Sequence, residues 1–254
     1  MKITALIPTF NCEKSIINTL DSISWVDEIL IIDSFSTDST LELIKPYNVT
    51  IYQHPYVNSA NQKNWALQYC NYDWVFQIDS DEILEKNAQR VILETIKNSN
   101  ENVHCFKMPR QNYVLGKWIK NGGLYPDWQY RLFKPKYAKW ENKDVHSKIR
   151  VSGKVQIINI KLIHHGMPNI SKQLTNLNRY TKYEVDYKKK IGEEFSFLRM
   201  IFGPFLVFIY RYIFLKGILD GWRGFFLAIY TAIYYFLIQS KLYEVKLLKL
   251  EKSP

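Results

Sequence analysis

The sharpest chemical signal in the chain is Asp79-Ser80-Asp81-Glu82. Two carboxylates two residues apart, just past the apolar run Trp74–Ile78, can reach one divalent cation from a turn. Hard oxygen donors of this kind suit Mg2+ or Mn2+, and such an ion in turn bridges a diphosphate. Solvated turns carry the same pattern, so its position must support the reading. Asp33 closes a second apolar run, Glu28–Ile32. It reads either as a turn or helix-capping carboxylate or as a hydrogen-bond partner for a nucleotide base or ribose. The Pro8-Thr9-Phe10-Asn11 turn would lie beside it and offer backbone groups to the same base.

These residues need elements that bring them together. Ile3–Pro8, Glu28–Asp33, Val49–Tyr52 and Trp74–Asp79 read as buried strands, because each is a short continuous apolar run. Between them, Cys12–Ser24, Leu41–Lys45 and Asn61–Tyr69 read as helices, and residues 84–98 as a further amphipathic one. Strands alternating with helices predict a mostly parallel sheet covered on both faces. In such sheets ligands bind beyond the carboxyl ends of the strands, where Pro8, Thr9, Asp33 and Asp79 all fall. After Val103 the pattern weakens. Val103–Met108 reads as a strand, Gln111–Trp140 as acceptor-side loops, and Lys148–Val151 and Val155–His164 as two more strands. Ser171–Ile191 reads as a polar helix.

The chain has 254 residues, 47% hydrophobic and 23% charged, which excludes a disordered protein. Three cysteines, Cys12, Cys70 and Cys105, with no paired spacing, point to a reducing compartment. No signal peptide is visible before the first strand. The net charge of +10 is uneven. Residues 1–160 carry 19 Lys+Arg against 17 Asp+Glu, and residues 161–254 carry 15 against 7. The basic C-terminal third is also aromatic: 16 of the 49 residues from Phe195 to Tyr243 are Phe, Tyr or Trp. That combination suits an anionic lipid interface better than a phosphate backbone, so no nucleic-acid partner is expected. Phe195–Leu215 is interrupted by Arg199, Gly203-Pro204 and Arg211, and Gly224–Ile238 is 15 residues without a charge. Neither run reaches the roughly 20 uninterrupted apolar residues of a spanning helix, so helices lying in or re-entering the interface are expected.

Ile7-Pro8-Thr9-Phe10-Asn11, Ile32-Asp33-Ser34-Phe35-Ser36-Thr37-Asp38 and Gln77-Ile78-Asp79-Ser80-Asp81-Glu82 together resemble the nucleotide-sugar half of the family 2 inverting glycosyltransferases, which have the GT-A fold. Gly122–Phe133, with its Tyr125-Pro126-Asp127-Trp128 core, and Val145-His146 are similar to the lipopolysaccharide core β-glucosyltransferase subgroup. So are Asn178-Arg179-Tyr180 and Leu219-Asp220-Gly221-Trp222-Arg223-Gly224. The resemblance implies an α/β GT-A domain over 1–194, with a nucleotide-sugar half at 1–105 and an acceptor half at 106–194. Membrane-associating helices would follow over 195–254. It implies a UDP-sugar donor, a lipid-linked glycan acceptor, and Mg2+ or Mn2+ as cofactor. Asp33 would contact uracil or ribose, Asp79 the ribose or metal, and Asp81 the metal. Gln62 and Asn64 would border the nucleotide, and His165, just after a strand, would be the late histidine near the diphosphate, with His164 structural.

The subgroup shows Val-His-Glu where this chain has Val145-His146-Ser147. The missing glutamate is a general-base candidate, and inversion needs a base that takes the acceptor hydroxyl proton during attack. Asp127, Asp144 and His146 remain as candidates, with Asp127 favoured and pairing with Arg131 as its bland alternative. Arg131 reads as a bidentate ligand for acceptor or diphosphate oxygens. Trp118, Tyr125 and Trp128 read as sugar-stacking aromatics. The expected activity is inverting hexose transfer at the cytoplasmic face of the inner membrane. A polyprenyl-phosphate sugar synthase, whose acceptor phosphate needs no base, and a catalytically silent membrane-bound homologue are the alternatives.

Overall fold

The computed structural model describes residues 1–141 and 148–250, without the side chains of 249 and 250. Its strands Ile3–Thr9 (β1), Glu28–Asp33 (β2), Thr50–Gln53 (β3) and Trp74–Gln77 (β4) run parallel. Almost every residue of β1, β2 and β4 is buried. Such strands have two covered faces and so show no alternation in sequence. Ile3, Ile7 and Ile31 pack with Ile16 and Leu20 of helix α1 (Ile16–Ser22) and Ile44 of α2 (Thr40–Ile44). Ile92 and Ile96 of α4 (Ala88–Lys97) join the same cluster. On the other face, Leu6, Leu30 and Val75 meet Ala60 and Ala66 of α3 (Ser59–Ala66). Truncating any one large member of these clusters to alanine costs about 2–5 kcal/mol.

The later strands are Glu82–Leu84 (β5), Val103–Val114 (β6), Lys117–Trp118 (β7), Asp127–Phe133 (β8), Ala138–Trp140 (β9), Ile149–Val151 (β10), Lys154–Ile157 (β11) and Leu162–Met167 (β12). The sheet order is β3-β2-β1-β4-β8-β6-β12-β5, with β7 and β11 also on β6 and a separate β9–β10 ribbon. β8 lies antiparallel between β4 and β6. A mostly parallel sheet with helices on its faces is therefore the observed architecture, as the sequence predicts.

Several local expectations change. Asp127–Phe133 is not loop but a strand in the middle of the sheet, because its inward residues Asp127, Gln129 and Arg131 are polar and invert the usual apolar signal. Helix 84–98 starts only at Ala88, since Glu82–Leu84 is drawn into pairing with β12. The expected strand Val155–His164 is two strands, broken over 158–161, where Ile158 and Ile160 leave the ladder to fill the core.

By contacts the chain forms two units, residues 1–111 with 127–165 and residues 112–126 with 166–254. In the second, Ile170–Lys190 (α5), Phe197–Ile209 (α6) and Trp222–Leu250 (α7) are the long helices. A π turn, Tyr210–Phe214, continues α6. α5 packs on α7 through Val185, Ile238 and Leu242. α6 has no buried residue, and Phe214 beyond it is 71% exposed. Both Phe197–Phe214 and Trp222–Leu248 are long and apolar enough to cross a membrane. The composition boundary at 194/195 follows sequence alone, whereas the contact division groups α5 and residues 112–126 with these apolar helices.

Candidate active site

At the ends of β1 and β2 a compact turn forms around Asp33, which is fully buried. Thr9 Oγ1 donates to its Oδ1 (3.0 Å), and Ser36 donates through both backbone N (2.8 Å, to Oδ2) and Oγ (2.5 Å, to Oδ1). Gln53 Nε2 adds a longer bond at 3.3 Å. The carboxylate is thus the organiser of the turn. Asn11, in the left-handed region at φ +47°, accepts from Thr37 N at 2.8 Å, and its own N–H donates to Ser36 Oγ at 3.0 Å. Asparagine is one of the few residues that tolerate that backbone. Pro8 is half-buried beside Thr9 on β1. Gln62 is buried against this turn and donates to Ser34 Oγ (3.0 Å) while meeting His54 Nδ1 (3.1 Å). Thr9, Asn11, Asp33 and Gln62 therefore converge. Asn64 does not join them: its amide grips the Trp140 backbone, donating to O and accepting from N, both at 2.9 Å.

The carboxylates at the end of β4 sit in a chain of alternating charge. Arg131, 3% exposed, bonds Asp79 Oδ2 (2.6 Å), Glu82 and Gln77. It stands at a bulge in β8, where Phe106 faces Leu132 but Lys107 faces Tyr130. A bulge of this kind re-aims the side chain of the extra residue. Arg110, on β6, reaches Glu82 (3.2 Å) on one side and Asp127 Oδ2 (2.8 Å) on the other. Lys63 of α3 lies 3.7 Å from Asp79. The order is Lys63, Asp79, Arg131, Glu82, Arg110, Asp127, each cation next to a carboxylate. Burial alone would raise the Asp79 pKa, but the Arg131 and Lys63 charges outweigh it and hold the carboxyl below its ordinary value. Burial lowers the Lys63 pKa against the opposing pull of Asp79. A cation kept in a poorly hydrated place beside a carboxylate is a mark of a functional site.

Asp127, Trp128 and Arg131 each have partners that the sequence did not indicate. Asp127 pairs with Arg110, its register partner across β6 and β8, not with Arg131. Gln129 Nε2 also donates to Asp127 Oδ1 at 2.6 Å. Trp128 faces away from these residues, since neighbours on a strand point to opposite sides. It takes Lys107 over its ring at 5.3 Å instead. The buried Arg131 guanidinium is committed to Gln77, Asp79 and Glu82. Asp144, His146 and Ser147 lie outside the described residues.

Among the described residues no group of three or more His, Cys, Asp or Glu could hold an ion. The donors present still fit a hard cation completed by a diphosphate. Asp81 Oδ1 lies 3.6 Å from His164 Nε2. Mg2+ and Mn2+ sites of this class take one or two protein ligands and fill the rest with phosphate oxygens and water. Asp79 suits the ion less well than expected, because Arg131 takes Oδ2 and Gln77 Oδ1 (2.8 Å). His165 is not past the strand but inside β12 and exposed; its backbone N–H donates to the Asp81 carbonyl at 3.4 Å, while the His164 ring is on the face turned to the Asp81 carboxylate. Lys63 and Arg110 were not singled out in the sequence, and Gln77, Glu82 and Gln129 were quoted only as parts of motifs. The polar alternation Asp127-Gln129-Arg131 was the available signal for an inward charged strand face. Two cavities, of 480 and 850 Å3, lie away from these residues, the larger beside Met1, Tyr72 and Trp74 at the opposite ends of the strands.

Residues 4–152 match the family model of glycosyl transferase family 2. The chain is 28% identical over 257 residues to the lipopolysaccharide core biosynthesis glycosyltransferase LpsC of Rhizobium meliloti (strain 1021), covering 98% of this chain and 94% of that one. It is 26% identical to the uncharacterized glycosyltransferase RT0209 of Rickettsia typhi (strain ATCC VR-144 / Wilmington), covering 97% and 88%. Among solved structures, S. aureus TarS 1–349 in complex with UDP-GlcNAc aligns with a TM-score of 0.48 at 14% identity, over 93% of this chain and 82% of that one.

Proposed function

This chain belongs to glycosyl transferase family 2, and from that premise we propose that it moves a hexose, with inversion, from a UDP-sugar to a lipid-linked glycan of the lipopolysaccharide core type. The observation that carries the reading is the charge chain from Lys63 to Asp127, with the Asp81–His164 pair beside its Asp79 end. In this reading the turn built on Thr9, Asn11 and Asp33 shapes the seat of the nucleotide base. Lys63 and Arg110 are the partly exposed cations of the chain and face the donor diphosphate. Arg131 holds Asp79 and Glu82 in place from below. Asp127, held by Arg110 and Gln129, takes the proton of the acceptor hydroxyl as that hydroxyl attacks the anomeric carbon. A divalent ion on Asp81 and His164 would supply Lewis-acid stabilisation of the charge developing on departing UDP.

The lipid side of the reading rests on α6 and α7. Phe197, Phe205, Phe214 and Trp222 are each more than half exposed, with Arg199, Lys216 and Arg223 among them. Helices of this make-up lie at an anionic headgroup layer. In this reading the helices sit at the cytoplasmic face of the inner membrane, which the cytoplasmic supply of UDP-sugars supports. The test is a screen of UDP-hexoses with purified protein and a glycolipid extract, read by mass spectrometry. Transfer of one hexose to a lipid-linked glycan is expected. UDP-sugar consumed only with polyprenyl phosphate would make the protein a sugar-phosphate synthase, and no turnover with any donor would sink the enzymatic reading.

A further inference from the structure

The Leu219-Asp220-Gly221-Trp222-Arg223-Gly224 segment has no part in the site above, yet it is among the most constrained places in the second unit. Asp220 is buried. Its two oxygens accept from consecutive backbone N–H groups, Lys120 at 3.3 Å and Asn121 at 2.8 Å. Arg223 forks onto the Leu115 carbonyl through Nε (3.2 Å) and Nη2 (2.8 Å). Arg211 donates to the Gly122 carbonyl at 3.0 Å, and Gly122 N–H donates to the Leu215 carbonyl at 2.8 Å. The loop from Leu115 to Leu124 is thus tied to the C-terminal helices by charge-assisted bonds, which are about twice as strong as neutral ones.

The glycines show how tightly this anchor is built. A Cβ on Gly224 would fall 1.8 Å from the Gly217 carbonyl oxygen, and one on Gly217 would fall 2.7 Å from that of Arg211. Both obstacles are backbone, so no side-chain rotation relieves them. The held loop displays Trp118 and Tyr125 edge to face at 5.2 Å, with Lys120 over the indole at 4.7 Å. The loop begins just after the last residue of β6, Val114, and holds the short strand β7.

We propose that Asp220 and Arg223 are positioning residues for the acceptor: by fixing the Leu115–Leu124 loop to the apolar helices, they hold the Trp118–Lys120–Tyr125 surface ready to receive the sugar rings of a glycan. Aromatic faces pack on the C–H faces of a pyranose, and the ammonium meets its hydroxyls or phosphates. The inference rests on the glycosyltransferase reading above, in which an acceptor glycan exists.

The experiment compares Asp220→Ala, Asp220→Asn and the parent, each full length in phosphatidylethanolamine–phosphatidylglycerol vesicles. It reads UDP affinity with Mn2+, transfer against lipooligosaccharide concentration, and amide hydrogen exchange at Lys120 and Asn121. In Asp220→Ala the acceptor KM rises about tenfold or more, the scale of one charge-assisted hydrogen bond. UDP affinity and vesicle binding stay at the parent values, and exchange at Lys120 and Asn121 accelerates. Asp220→Asn, which keeps the shape and one acceptor oxygen, falls between. Arg223→Lys, with one donor head in place of the fork, gives the same split if Asp220→Ala does not fold. Unchanged exchange at the two amides overturns the proposal, as does a loss of UDP affinity in step with acceptor use. A parent that transfers nothing sinks the enzymatic reading, while the exchange data still decide whether the clamp exists.

Discussion

The two units differ in how much apolar surface they leave uncovered. In the sheet unit the apolar residues are inside, as for β1 and β2, and so is a run of charge, with Glu82 and Arg131 almost wholly buried. In the helical unit the interior holds Val185, Leu227, Ile238 and Leu242 together with Asp220, Gln173, Thr181 and Gln239, while Phe197, Leu198, Phe205 and Leu219 are turned outward. A folded unit in water gains most by removing apolar surface from solvent. α6 makes no such use of its phenylalanines. The contrast is one of apolar surface: the first unit covers the faces of its strands, whereas the second leaves one whole apolar helix uncovered.

The charged interior gives the largest effects. Asp81→Ala should lower transfer by ~10^3-fold or more and remove Mn2+-dependent UDP binding. His164→Ala should follow it while His165→Ala stays near the parent; calorimetry of UDP with and without Mn2+ reads this, and the reverse ranking would move the ion to the other histidine. Arg131→Met should cost about 3–5 kcal/mol in denaturant unfolding, because it leaves Asp79 and Glu82 without their cation. An unchanged midpoint would mean that the charge chain is not part of the fold. Asp127→Asn should cut turnover by ~10^2-fold with donor affinity kept, as for a lost general base.

Acid offers a smaller effect of definite sign. The Asp79 carboxyl is held below its ordinary value of 3.8. Its contribution to stability is therefore complete above that value and is lost as pH falls through the lower folded value. Melting curves should lose stability from this group only below about pH 4, and Asp79→Asn should remove that part of the slope. The helical unit supplies the smallest effect. Lys216→Glu should weaken flotation with anionic liposomes by roughly 1–2 kcal/mol, since it removes one near-surface cation and adds an anion. Binding indifferent to anionic lipid would erase the contrast between the units.

The helices also decide how the molecule can be cut. Removing residues 195–254 takes Leu227 and Phe226 away from Val114 and Ile119, and Ile238 and Leu242 away from Val185. A deletion at the composition boundary is thus expected to expose core rather than release a tidy soluble domain.

The parallel strands and the carboxylates that close them were legible, because β1, β2 and β4 are buried on both faces and announce themselves as apolar runs. β8 was not, since Asp127, Gln129 and Arg131 point inward and their polarity imitates a loop. The end of β12 was misplaced as well: the strand runs through both histidines, which stand on its opposite faces, and which ring meets Asp81 depends on a register that nothing local encodes. Arg110 was invisible because its role comes from register with Asp127, seventeen positions away, and nothing local encodes that pairing. The Asp220–Arg223 segment was legible as a motif, but its partners Leu115, Lys120 and Asn121 lie about a hundred residues upstream.

After Val114 the chain turns back along β6 as the short β7, and it rejoins the sheet at β8, whose first residue, Asp127, is the rung partner of Arg110. Topologically the segment is a cassette. A chimera that exchanges it must carry β7 along with the loop, and on the acceptor reading proposed above such an exchange should alter acceptor KM and leave UDP affinity unchanged. Its freedom has one tether: a grafted loop must bring backbone groups that fit Asp220, Arg223 and Arg211, so exchange between relatives should work when residues 211–224 travel with it and fail when the loop travels alone.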